Sequence, residues 1–229
     1  QRELIRGGAR VLRPGGRFYF VANVNVGVKG AVAYARKLFG RCGVVRQKKG
    51  YHVAMTVRPE GMDPPPLRAG YVTHTVLRDG VETNLVSKPG VFAWDHLDEG
   101  TARLIDSMSV SAGDRVLDLG CGTGLAGLAA ARRIPNGAVV LGDTDLRAVR
   151  SARYTLDANG VANADVRLSD GVSQVISQRP FDVVITNPPF HQGREVDYDV
   201  THQFVRGSQR VLRPGGRLFL VANRFIGYD

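Results

Sequence analysis

The side chains best suited to act on a ligand fall in four short stretches. The first is "DLGCGTG", residues 118–124, where glycines at 120, 122 and 124 follow directly on an apolar run. Bare glycines let the backbone turn sharply and let a ligand approach the main chain with no side chain in the way. Leu125 occupies the place where the dinucleotide fingerprint GxGxxG needs its last glycine, so the spacing here is GxGxG. A glycine-rich turn from strand to helix also has a purely structural reading. The second stretch ends an apolar run at Asp143, where a carboxylate can accept hydrogen bonds from both hydroxyls of a ribose. The same place also suits a helix N-cap supplied by Asp143 or Asp145. The third is Asp170-Gly171, an acid suited to an adenine amino group. The fourth is "NPPF", Asn187 to Phe190. Alone it reads as an Asn-Pro turn; beside a GxGxG loop it reads as a catalytic loop.

Elements with a common edge must bring these stretches together. From Arg115 onward, "RVLDLG", "AVVLGD", "ADVRLSD", "FDVVITN" and "RLFLVAN" are five apolar runs separated by helical stretches at 125–134, 146–159 and 200–212. This alternation calls for an α/β fold, Rossmann-like and doubly wound, with a mainly parallel sheet covered on both faces. Ligands of such sheets bind at the carboxyl ends of the strands, which is where all four stretches lie. Upstream, residues 1–12 and 28–39 read as helices, and "RFYFVAN", "CGVVRQ" and "YHVAMTV" as strands. "RPEGMDPPPLRAG", residues 58–70, reads as a linker, because consecutive prolines neither continue a helix nor donate to a sheet. "YVTHTVLRDGVETNLVS" alternates about Asp79-Gly80 as a hairpin.

"RVLRPGGRFYFVANV" (10–24) and "RVLRPGGRLFLVANR" (210–224) agree at eleven of fifteen positions. That spacing is the size of a domain and predicts a duplication. The basic charge is local. Residues 1–59 hold 13 Lys and Arg against the single acid Glu3, while the remainder holds 18 basic and 20 acidic residues. A polyanion partner is expected for the first segment. Two cysteines without paired spacing argue against a disulfide framework or a zinc site and fit a reducing compartment. The histidines show no ligand spacing, so no metal is expected. No apolar run has the roughly 20 residues of a membrane helix, and no signal-peptide pattern opens the chain. A cytoplasmic location follows as the expectation.

The Asp118–Gly124 loop, Asp143, Asp170 and NPPF together resemble a class I S-adenosylmethionine-dependent methyltransferase acting on an amino group. "KPGVFAWDHLDEGT", "NPPFHQG" and "VLRPGGRLFLVANRFIGY" resemble the bacterial ribosomal RNA guanine-N(2) methyltransferases of the RsmC/RlmG type, continuously over residues 71–229. That resemblance implies S-adenosyl-L-methionine held by Asp118, Gly120, Gly122, Asp143 and Asp170. It implies a guanine amine of ribosomal RNA, in the small subunit by preference, as the methyl acceptor, with the RNA or the subunit as partner. Asn187 and Pro188 would accept the two amine hydrogens, and Phe190 would stack on the extruded base. Phe92 and Thr101 match a motif near the methionine end of the cofactor. His191 reads equally as a wall of the substrate entrance or as a structural hydrogen-bonding residue, and Trp94 as packing.

The family is built from two methyltransferase-like domains in tandem, the first without catalytic motifs. By that resemblance residues 1–59 are the basic C-terminal remnant of a degenerate domain, 60–70 the linker and 71–229 the catalytic domain without its last helix and hairpin, so the chain reads as a piece of a longer protein. A sharper expectation is that residues 42–58 complete the catalytic sheet beside 217–223, in cis or by domain swapping. Two other functions fit: a non-catalytic RNA-binding or ribosome-assembly module, and a methyltransferase of another amine, in DNA adenine or protein glutamine.

Overall fold

The computed structural model describes residues 2–64, 66, 70–78, 80–176, 180–189 and 200–222, together with the backbone elements at 191–192, 195–196 and 198–199. The chain divides into two compact units, 1–70 and 71–229.

In the first unit, α1 (Arg2–Val11) leads through a turn at Gly15, φ 75°, into β1 (Arg17–Asn23). Helix α2 (Val28–Phe39) stops at Gly40, φ 80°, and β2 (Gly43–Lys48) and β3 (Tyr51–Val57) form a hairpin turned by Lys49 and Gly50, both at positive φ. The strand order is β1-β3-β2, antiparallel throughout. Alternation along β1 sends Phe18, Phe20 and Ala22 into a core with Ile5, Ala9, Val28, Ala35 and Phe39, and leaves Tyr19 and Val21 exposed. Met62, from the expected linker, packs on the same core. β3 forms one ladder with β1 and another with β2. It thus has β1 and β2 as its two neighbours, so the strands within residues 42–58 belong to the first unit's own sheet.

The second unit opens with the hairpin β4 (Val72–Arg78) and β5 (Val81–Ser87) in unbroken register. Polar groups of a later helix close its free edge: Val86 N–H donates to Thr155 Oγ1 at 3.0 Å and Asn84 N–H to Asn159 Oδ1 at 3.1 Å. Then follow α3 (Glu99–Ser107), β6 (Arg115–Leu119), α4 (Leu125–Arg133), β7 (Ala138–Asp143), α5 (Leu146–Ala158), β8 (Ala164–Leu168) and β9 (Phe181–Thr186). Two short paired strands, β10 (His191–Gln192) and β11 (Glu195–Val196), precede α6 (Tyr198–Val211) and β12 (Leu212–Leu220).

The five long strands after α3 form one parallel sheet in the order β12-β9-β6-β7-β8. Chain order reverses between β6 and β9, so a crevice opens there at the carboxyl ends. Both faces are buried, as a parallel sheet requires. Val116, Val139, Leu141, Val183 and Ile185 pack on one side, and Leu117, Leu119, Val140 and Val184 on the other. Among the described residues no helix is long and apolar enough to cross a membrane.

Candidate active site

The crevice is lined by Phe92, Asp98, Thr101, Asp118, Gly120, Cys121, Gly122 and Asn187, among others. Three local arrangements build it. The first is the glycine loop after β6. Gly120, Gly122 and Gly124 have φ values of 76°, 54° and 82°, a region open to glycine at little cost. The N–H groups of Gly120 and Cys121 both donate to Gly142 O, at 2.8 and 3.0 Å, which ties the loop to β7. A Cβ on Gly124 would stand 2.9 Å from Ala152 Cα. A Cβ on Gly122 would meet nothing nearer than Phe92 O at 4.0 Å, so at that position the loop turns bare backbone toward open space.

The second arrangement concerns the acids. Side chains alternate along β6, so Asp118 points to the same face as Val116, beneath α4. It is 2% exposed, and its Oδ2 accepts from Gly127 N–H at 2.8 Å. Burial raises its pKa to about 7; the Gly127 hydrogen bond opposes the rise and the charge of Asp143 adds to it. Asp143, at the end of β7, accepts from Gly122 N–H at 3.0 Å and from Asp145 N–H at 2.9 Å. Burial raises its pKa too, against those two hydrogen bonds. The cap of α5 belongs to Asp145, which accepts from Arg147 N–H. The Cys121 thiol is pushed well above its ordinary pKa by burial and by Asp118 and Asp143. It is therefore a neutral wall group and not a nucleophile. Cys42 is likewise buried and free.

The third arrangement is the tip of β9. Thr186 Oγ1 donates to Leu119 O at 2.7 Å, and Val221 N–H donates to Thr186 O at 3.0 Å. Asn187 thus starts from a point fixed to the strands on both sides. Its Nδ2 donates to Asp98 Oδ2 at 2.9 Å and to Thr101 Oγ1 at 3.0 Å. With the amide nitrogen committed, Oδ1 has no hydrogen-bond partner among the described residues.

Of the residues singled out from the sequence, Asp118, Gly120, Gly122 and Asn187 line one crevice, and Asp143 is tied to its loop by the hydrogen bond from Gly122 N–H. Pro188 is buried directly after Asn187. β8 ends at Leu168, and Asp170 lies two residues further on, exposed and off the wall of the crevice. Buried Ser169 is the residue tied to β7, its N–H donating to Asp143 O at 2.9 Å. Phe190 and the His191 side chain lie outside the described residues. Trp94 packs edge-on against His74 of β4. Sequence reasoning missed Asp98 and Thr186. Asp98 was legible only as the cap of α3, since "DEGT" places an acid three residues before a threonine; nothing local links it to Asn187. Among the described residues no group of three or more His, Cys, Asp or Glu is arranged to hold a metal ion.

The model of the methyltransferase small domain matches residues 82–229. The ribosomal RNA small subunit methyltransferase C of Hahella chejuensis is 47% identical over 156 residues, covering 68% of this chain and 45% of that protein. The protein of the same name from Pseudomonas aeruginosa (strain LESB58) is 35% identical over 219 residues, 94% of this chain and 64% of that one. The solved T. thermophilus 16S rRNA N2 G1207 methyltransferase (RsmC), in complex with AdoMet and guanosine, superposes with a TM-score of 0.86 at 33% identity, covering 99% of this chain and 62% of that chain. The chain thus spans less than two thirds of the length of these relatives.

Proposed function

The chain belongs to the methyltransferase small domain family, and from that premise we propose that it transfers a methyl group from S-adenosyl-L-methionine to the exocyclic amine of a guanine in small-subunit ribosomal RNA. The names of its relatives supply the substrate class. The observation that carries the chemistry is the crevice-lining Asn187 amide, anchored through its nitrogen to Asp98 and Thr101, with no partner for Oδ1 among the described residues.

The residues present fit the cofactor. Gly122 leaves room where any side chain would intrude, and the Asp118 carboxyl at the same wall suits a cationic ligand. When bound, S-adenosyl-L-methionine supplies an electrophilic methyl group on a sulfonium. Gly120, Gly122 and Asp118 would hold it, with Asp143 fixing the loop and offering its carboxylate to ribose hydroxyls. Asp170, exposed two residues past β8, would meet the adenine amino group.

The acceptor amine is a poor nucleophile because its lone pair is delocalised into the purine ring. Asn187 Oδ1 and the Pro188 carbonyl would accept its two hydrogens and draw the nitrogen toward a tetrahedral shape, which localises the lone pair. Proline suits the position because it fixes φ and brings no competing N–H. Phe190 would stack on the extruded base, a contact of about 1–3 kcal/mol in single-strand binders, and an amine inside a helix is reached only by such extrusion. The remaining requirement is to hold the reacting atoms about 3–3.5 Å apart in line. No metal takes part in this scheme.

Residues 1–59 are read as the remnant of a degenerate methyltransferase-like domain, and their 13 Lys and Arg against Glu3 as the RNA-facing part of the chain. A ribosomal RNA substrate places the protein in the cytoplasm. Incubation with labelled cofactor and, in turn, ribosomal subunits, RNA, DNA and protein tests the assignment. The expected result is label in small-subunit RNA, reduced about 10²-fold or more in Asn187→Ala, as for loss of one preorganised polar group at a reacting centre, with cofactor affinity kept. Full incorporation by Asn187→Ala, or label in DNA or protein alone, overturns it.

A further inference from the structure

Three donors converge on one oxygen of Asp98. Thr101 N–H reaches Oδ2 at 2.7 Å, Thr101 Oγ1 at 3.1 Å and Asn187 Nδ2 at 2.9 Å. Capping the helix explains the first of these contacts. It does not explain the third, which comes from a strand tip 89 positions away. The Thr101 hydroxyl closes the arrangement by donating to Asp98 while accepting from Asn187. Gly100 completes it sterically. A Cβ there would lie 3.1 Å from Asp98 Oδ2, 3.1 Å from Val221 Cγ1 and 3.3 Å from Asn187 Nδ2, so a side chain at 100 would press on both partners and on the segment after β12.

An unconstrained Asn side chain can present either its oxygen or its nitrogen to the crevice, because the two ends of the amide have nearly the same shape. Only the oxygen end can accept an amine hydrogen. Two acceptors fixed on the opposite side, a carboxylate and a hydroxyl that donates elsewhere, select the rotamer in which Nδ2 faces them. We infer that Asp98, seconded by Thr101, is a positioning residue that sets which end of the Asn187 amide faces the substrate amine. This rests on the methyl-transfer reading given above. It assigns the α3 cap a part in the reaction that capping alone does not require.

Three variants separate the two roles of Asp98. Asp98→Asn keeps an oxygen able to serve all three donors. Asp98→Ser keeps a good cap for α3, but its hydroxyl is one bond shorter and leaves Asn187 unheld. Asp98→Ala loses both roles. In single-turnover transfer to small-subunit RNA, at saturating cofactor and RNA, Asp98→Ser and Asp98→Ala should each be slowed about 10²-fold, the scale of a misplaced reacting group. Cofactor affinity should hold in Asp98→Ser, and Asp98→Asn should recover most of the lost rate. A merely structural cap predicts instead that Asp98→Ser transfers like the parent, and that result overturns the inference.

A second readout needs no turnover. The Asn187 side-chain NH₂ pair, identified in the ¹⁵N–¹H spectrum by its loss in Asn187→Ala, should exchange slowly with solvent in the parent and in Asp98→Asn. In Asp98→Ser it should move to the position of an exposed Asn. An unchanged pair in Asp98→Ser refutes the positioning role whether or not transfer occurs. Absence of transfer by the parent chain, with the pair behaving as expected, overturns the methyl-transfer reading and leaves the placement of Asn187 by Asp98 standing.

Discussion

The Asp118 carboxylate at the end of β6 accepts a hydrogen bond from the backbone N–H of Gly127, in the first turn of α4, at 2.8 Å. The approach is that close because residue 127 has no side chain: a Cβ there would lie 2.5 Å from Leu141 Cδ2 and 3.0 Å from Asp118 Oδ2. One glycine thus lets the helix sit down on β6 and β7. One buried acid joins strand, loop and helix into a single wall of the crevice.

Gly127→Ala sets two effects against each other. Alanine favours a helix interior by about 1 kcal/mol. Overpacking a filled core costs about 1–3 kcal/mol, and here the neighbours are fully buried Leu141 and a carboxylate already engaged. The clash should win, so the denaturant midpoint falls with the slope unchanged. Gly30→Ala in α2, where a Cβ would meet nothing within 4 Å, should raise the midpoint, by a gain of up to about 1 kcal/mol in stability. A Gly127→Ala protein as stable as its parent would show that α4 does not need this approach.

The raised pKa of Asp118, about 7 in the folded chain, gives stability a definite pH dependence. An unfolded carboxyl releases its proton near pH 4, so between about pH 4 and 7 the folded state holds a proton that the unfolded state has lost. Stability from this group is complete below that window and declines as pH rises through it, by up to about 1.4 kcal/mol per pH unit. Asp118→Asn removes the titrating group and keeps an acceptor for Gly127 N–H. Urea melts at pH 4, 6 and 8 should show the parent losing stability relative to the variant with rising pH. A constant difference across the series contradicts the assignment.

Asp143→Ala removes the acceptor of Gly122 N–H and of Asp145 N–H together. Hydrogen bonds to a charged group contribute about 1.5–3 kcal/mol each, and the ribose contact proposed for the same carboxylate is lost with them. Calorimetric titration with S-adenosyl-L-methionine should show affinity reduced about 10- to 100-fold. Unchanged affinity would count against Asp143 as a cofactor residue.

The order of strands and helices, the glycine loop and the place of Asn187 at a strand tip were legible in the chain because each depends on local features. Apolar periodicity, backbone freedom at glycine and the fixed φ of proline act within a few residues. What the tertiary structure alone decided is clearest in the repeated segment. Arg17–Asn23 pairs antiparallel with β3, whereas the copy within Leu212–Leu220 pairs parallel with β9. Val11 is 83% exposed and its counterpart Val211 only 4%. Nearly identical residues carry the same propensity for helix, turn and strand, but ladder partners and the surface a helix covers come from segments far away in the chain. Asp98 meets Asn187 for the same reason: short-range signals placed each at the end of its own element, and the order of strands in the sheet brought those two ends together.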